Sequence, residues 1–119
     1  MSIRENIEGI QARIAAACAR VGRDPVEVRL VAVSKTKPAM LIEEAATAGQ
    51  RLFGENYVQE FVDKAEAVRA PVEWHFIGAL QSNKVKYLRG KVAMIHSLDR
   101  LALAEEINRQ WSKLDRPVD

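Results

Sequence analysis

The chain has 119 residues, 48% of them hydrophobic and 29% charged, and 18 basic against 16 acidic side chains leave a formal charge of only +2. That length supports one domain with a real core and is too short for two. The two signs are interspersed with no basic stripe between aromatics, which argues against nucleic acid; the first residues, MSIRENIEG, read as too polar for a signal peptide, and no apolar run approaches membrane length.

Ser2 followed by Glu5 is a capping box, so a helix should begin there. Ile3, Ile7, Ile10, Ile14, Cys18 and Val21 recur at helical spacing and form one apolar stripe, which Gly22 and the turn GRDP close. Cys18, the only cysteine, lies on that stripe as a core residue; it cannot form an internal disulfide and fits a reducing cytoplasm. VRLVAVSK, residues 28–35, is a β-branched run of the kind found in buried parallel strands. Pro38 suits the first turn of the next helix, whose inner face is Leu41, Ile42, Ala45 and Ala46, with Gly49 after it.

RLFGEN predicts a second strand, followed by a helix carrying Val58, Phe61, Val62, Ala65 and Val68 and broken by Pro71. VEWHFIG is a third strand, with a short helix over about residues 82–88. VAMIHSL is a fourth. Asp99 is placed to cap a last helix that turns Leu101, Ala104, Ile107, Trp111 and Leu114 inward.

One helix followed by four βα units predicts an α/β fold with a parallel sheet, either an open doubly wound sheet or part of a (β/α)₈ barrel. A complete barrel needs about 250 residues and eight strands. This chain offers four and stops at RPVD, where a fifth would begin, so the expectation is a single partial domain over residues 1–119, cut short on its C-terminal side.

In either architecture a ligand sits at the carboxyl ends of the strands. Those ends are polar in every case: Ser34-Lys35-Thr36-Lys37, Gly54-Glu55-Asn56, Gly78 with Gln81, Ser82 and Asn83 beyond it, and His96-Ser97. Alternation puts Val31, Val33 and Lys35 on one side of the first strand, so Lys35 should project from an apolar interior. Desolvation there favours the neutral amine, as an imine-forming lysine requires. If the backbone stays extended, Lys37 falls on the same side as a second cation. The competing reading is a pair of rim lysines reaching into water. His75 points away from Trp74 and Phe76 and either faces a pocket or is a hydrogen-bonded core histidine. Gly54 and Gly78 mark close approach of a ligand or tight packing. No His/Cys/Asp group has metal spacing, and no GxGxxG, Walker or GxSxG motif is present.

The strings LVAVSKTKP (30–38), LFGENYVQE (52–60) and EWHFIGALQSNK (73–84) resemble, in order and spacing, the hallmarks of the YggS/PROSC family of pyridoxal phosphate homeostasis proteins, and the resemblance covers nearly the whole chain as the N-terminal half of such a protein. It implies the N-terminal portion of a barrel like that of alanine racemase, about four βα units preceded by an extra helix. It further implies that Lys35 holds pyridoxal 5'-phosphate as a Schiff base, that Asn56 lies beside the cofactor, that His75 stands at the pocket wall and that Lys37 is a second lysine at the mouth. Members are about twice as long. Their phosphate-binding residues, and the arginine near the pyridine nitrogen, belong to the half not represented here.

The expected function is a non-enzymatic, cytoplasmic cofactor handler with no catalytic residue of its own, buffering pyridoxal phosphate and passing it to apo-enzymes. The alternatives are a pyridoxal-phosphate-dependent amino-acid racemase or lyase, and a fragment that binds nothing and serves as an assembly module through self-association of the half-barrel.

Overall fold

The first helix forms where the capping box puts it. The computed structural model of the protein describes residues 2–119, and in it α1 runs Ile3–Val21, with the Ser2 hydroxyl accepting from the Glu5 amide and Glu5 answering at the Ser2 amide. Gly22 takes the left-handed cap (φ 69°). The stripe along α1 is only partly used: Cys18 is buried, Ile3, Ile7 and Ile14 are half-buried, and Val21 is 76% exposed. Asp24 then caps a short 3₁₀ turn, Pro25–Glu27.

The strands are shorter than their apolar runs. They are β1 Val31–Val33, β2 Leu52–Glu55, β3 Glu73–Phe76 and β4 Met94–Ile95, all parallel and in the spatial order β1-β2-β3-β4. Between them lie α2 Ala39–Thr47, α3 Val58–Ala67 and a 3₁₀ helix Ser82–Tyr87, and α4 Leu101–Trp111 follows β4. Consecutive order without reversal leaves no switch-point crevice of the doubly wound kind, because right-handed crossovers that always step the same way put every helix on one face. That face is the core: Phe53, Trp74, Phe76 and Ile95 from the sheet meet Ile42, Phe61, Val85, Leu88, Leu103 and Trp111. Trp74 is its hub, packed edge-on to Phe61 at 5.5 Å and tilted to Phe53 at 6.0 Å between ring centroids.

Two side-chain expectations need correction at the last helix. Asp99 does not cap α4; Arg100 holds the N-cap position without a side-chain bond, and the Asp99 carboxylate is taken by the Arg100 guanidinium. Leu101, the first residue of α4, is 74% exposed while Leu103 is fully buried, so Leu103 carries the inner face of the first turn. The outer edge of β4 is partly occupied by the chain itself: Asp119 donates its amide to Ala93 and accepts from Ile95, both in ladder fashion.

Candidate functional site

The register fixes which side chains share the sheet face away from the helices. Val33, Gly54, His75 and Met94 lie level with one another across the four strands. Lys35 and Asn56 stand two residues further along, roughly 7 Å nearer the carboxyl edge at the usual rise of a strand. The positions of Lys35 and Asn56 therefore gather at one end of the sheet, level with His96 and with His75 one layer below them.

Lys35 is exposed, and so is Val33, at 55%. The apolar enclosure expected around Lys35 is thus not formed in this chain, because the sheet face it rises from is open. Lys37 does not follow Lys35. β1 ends at Val33, the Lys37 amide bonds back to the Ser34 carbonyl at 3.1 Å, and Thr36 sits in the left-handed region with φ 64°. The turn sends Lys37 to the cleft of about 400 Å³ between α1 and α2, lined by Ile3, Ile7, Val33 and Leu41. The condition for two lysines on one side, an extended backbone, is not met.

Beneath the Lys35 turn is a buried charged cluster. Glu55 and Lys64 are buried, and Lys64 Nζ reaches Glu55 Oε2 at 2.9 Å, Glu60 Oε2 at 2.8 Å and the Ser34 carbonyl. Of the three ammonium donors, two are hydrogen-bonded, to Glu55 Oε2 and the Ser34 carbonyl, while Glu60 Oε2 lies within ion-pair distance. Ser34 Oγ is hydrogen-bonded to Glu55 Oε2, and the Thr36 amide donates to Glu60 Oε2 at 2.6 Å. Glu55, which the sequence grouped with the ligand-facing polar ends, thus points the other way, toward α3. Its placement was legible from alternation, since it shares a face with Phe53. Lys64 and Glu60 were missed. Lys64 lies three residues after Phe61 on the buried side of α3, and a charge inside an apolar stripe was the signal.

His75 is buried and bonded on both ring nitrogens: Nε2 to Glu73 Oε2 at 2.8 Å and Nδ1 to His96 Nε2 at 3.0 Å. Glu73 also accepts from Arg29 at 2.8 Å. A carboxylate can only accept, so Nε2 of His75 carries hydrogen, and a neutral His75 takes its other bond from His96 N–H. The hydrogen bond from His75 holds the Glu73 carboxyl below the usual carboxylate range, with Arg29 adding to it against the opposing effect of burial. Burial, then the positive charge that His75 carries when protonated, lowers His96. Both groups bind protons more weakly in the folded chain than in the unfolded one, so stability is complete above the ordinary values and is lost on acidification. It should decline from the ordinary histidine value of 6.5 downward and further below the carboxylate value of 4.5. Thermal unfolding followed across that range should show a monotonic fall in Tm, and His96→Asn should flatten its upper part. A Tm that rises on acidification would contradict the weakened proton binding of Glu73 and His96.

Gly78 and Gly54 serve packing. A Cβ at Gly78 would lie 2.2 Å from the Asn56 carbonyl oxygen, and one at Gly54 2.9 Å from Ile77 Cδ1. Gly78 thereby lets the loop after β3 press against the Asn56 backbone. Two buried polar atoms at this end of the sheet, Asn56 Oδ1 and Ser97 Oγ, have no hydrogen-bond partner among the described residues. No group of three or more potential ligands for a metal ion occurs among the described residues.

A four-stranded parallel sheet with helices packed on one face defines a domain of the α/β class. No family model matches the chain. It is 49% identical over 110 residues to the pyridoxal phosphate homeostasis protein of Pseudomonas aeruginosa, covering 92% of this chain and 48% of that protein. It is likewise 49% identical over 114 residues to the pyridoxal phosphate homeostasis protein of Aquifex aeolicus, covering 95% and 50%. Among solved structures, a protein of unknown function from Bifidobacterium adolescentis matches with TM-score 0.83 and 37% identity over 90% of this chain and 48% of that one. PipY of Synechococcus elongatus with pyridoxal phosphate bound matches with TM-score 0.73 and 42% identity over 89% and 50%. Along almost its whole length the chain is a homologue of proteins named pyridoxal phosphate homeostasis protein, and it spans about half the length of the curated relatives it matches.

Proposed function

We propose that this chain is the lysine-bearing part of a pyridoxal phosphate homeostasis protein, in which Lys35 carries pyridoxal 5'-phosphate covalently and the cofactor is held and released without turnover of an amino acid. The observation that carries this reading is the match to PipY, whose structure contains pyridoxal phosphate, along almost the whole of this chain. The local chemistry agrees. Lys35 offers an accessible primary amine at the carboxyl edge of the sheet, able to condense with an aldehyde and release one water.

The residues present fit the cofactor on two observations. Asn56 Oδ1 and Ser97 Oγ are buried without partners at that edge, and polar groups left so are expected to be satisfied by something that binds. When bound, the cofactor supplies an aldehyde to be stored and an electron-withdrawing ring; the residues described here bind and orient it. Asn56 would lie beside the ring and His75 would support the floor of the pocket, one layer down, in the orientation set by Glu73 and His96. Lys37, which turns away from Lys35 to the α1–α2 cleft, has no part in this reading.

In this reading residues 1–119 form one domain and the fold is the first portion of a barrel like that of alanine racemase. Consecutive strand order and the ladder bonds of Asp119 on the outer edge of β4 support it. Apo-enzymes that accept the cofactor are the partners of the whole protein, and self-association would cover the open sheet face. No described helix is long and apolar enough to cross a membrane, and the free, buried Cys18 suits a reducing, cytoplasmic setting.

The test is to incubate the chain with pyridoxal 5'-phosphate, reduce with borohydride and map the adducts by peptide mass spectrometry. One dominant adduct on Lys35, lost in Lys35→Ala, is the expected result. Adducts scattered over Lys37, Lys84, Lys86 and Lys91 would remove the basis for a specific site, and turnover of an amino acid by the loaded protein would favour a racemase or lyase.

A further inference from the structure

We propose that α3 positions Lys35 through a two-point clamp on the backbone either side of it, Lys64 holding the Ser34 carbonyl and Glu60 holding the Thr36 amide. The inference rests on the reading that Lys35 carries the cofactor.

Lys35 gets little support from the sheet. β1 ends two residues earlier, and the last ladder bond is the one from the Ser34 amide to the Gly54 carbonyl at 3.0 Å. Beyond it the chain turns through Thr36, a β-branched residue in a left-handed conformation that such residues rarely adopt without restraint from their surroundings. The restraint comes from α3. Glu60 and Lys64 lie one helical turn apart and bridge at 2.8 Å, so their two ends act as one unit. The Glu60 carboxylate accepts from the Thr36 amide, the Lys64 ammonium donates to the Ser34 carbonyl, and Glu55 secures Lys64 from below at 2.9 Å. The contacts to the turn are charge-assisted, the stronger kind of hydrogen bond. Neither Glu60 nor Lys64 touches the Lys35 side chain in any hydrogen bond or ion pair of the described residues, which makes them positioning residues. The Lys35 amine is left exposed on a fixed base, an arrangement suited to a lysine that must present one nitrogen at one place to an aldehyde.

Glu60→Ala is the informative variant, because Lys64→Met leaves Glu55 buried without its cation and tests stability instead. In the full chain, Glu60→Ala should speed hydrogen exchange of the Thr36 amide and lower the Lys35 share of borohydride-trapped pyridoxal phosphate, each on the order of tenfold, with little change in Tm. Glu60→Gln, which keeps an acceptor oxygen, should restore both. If the parent chain labels Lys35 and Glu60→Ala labels it equally well, the clamp is refuted and the cofactor assignment survives. If the parent chain does not label Lys35, the cofactor assignment falls and the positioning role with it, even where Thr36 exchange responds to the variant.

Discussion

Replacing Lys64 with methionine should cost the chain about 3–5 kcal/mol, the usual price of leaving one member of a buried ion pair alone. A domain of this size is held by only about 5–15 kcal/mol in all, so the variant should lose a large share of its stability. The carboxylate stranded by the change is Glu55, fully buried, with Oε1 already lacking a partner among the described residues and Oε2 left to the Ser34 hydroxyl. Removing the charge at the other end as well should recover most of the loss, because two apolar groups of similar volume can replace a buried pair at little cost. Urea unfolding of Lys64→Met, Glu55→Leu and the double variant forms the cycle that reads this coupling. A loss below about 1 kcal/mol in the single variant would show that the pair is effectively solvated, as surface pairs are.

Gly78→Ala should be the most damaging small substitution at the site. The added methyl would meet three backbone atoms of Asn56, the carbonyl oxygen at 2.2 Å, Cα at 2.7 Å and the carbonyl carbon at 2.8 Å, and backbone cannot swing aside as a side-chain end can. The expected loss is about 3 kcal/mol, the upper part of the range for overpacking, together with displacement of the Asn56 loop. Gly9→Ala supplies the opposite sign within the same molecule. A Cβ there meets nothing within 4 Å, and it lies in the middle of α1, so alanine should add about 0.5–1 kcal/mol of stability. The pair of denaturation midpoints, measured with unchanged m-values, checks both; equal midpoints would mean that the Asn56 loop yields freely.

These two sites differ in how far the sequence announced them. Gly78 could be singled out as a glycine at the end of a strand, but not whether a ligand or the chain itself approached it; only the neighbouring loop decides, and that loop comes from a different βα unit. Glu55 looked like a ligand-facing residue because it ends a strand in a polar tripeptide. Its alternation with Phe53 nevertheless assigned it to the helix side, where Lys64 meets it. His75 was correctly turned away from Trp74 and Phe76, yet its partners Glu73 and His96 emerged only from the parallel register.

What the sequence by itself determined is the part governed by local and periodic physics. The capping box set the start of α1, the left-handed glycine its end, and the alternation of apolar runs with helical stripes the βα order. Three long motifs, read in order, pointed to the family to which the curated relatives belong. Only the tertiary structure decided how far each strand extends, which way Lys37 turns, and what holds the backbone of Lys35. Strand ends are fixed by pairing with neighbours, so β1 stops where its ladder with β2 stops. The turn that follows is shaped by Glu60 and Lys64, more than twenty residues away in the chain, whose bonds no local propensity can encode.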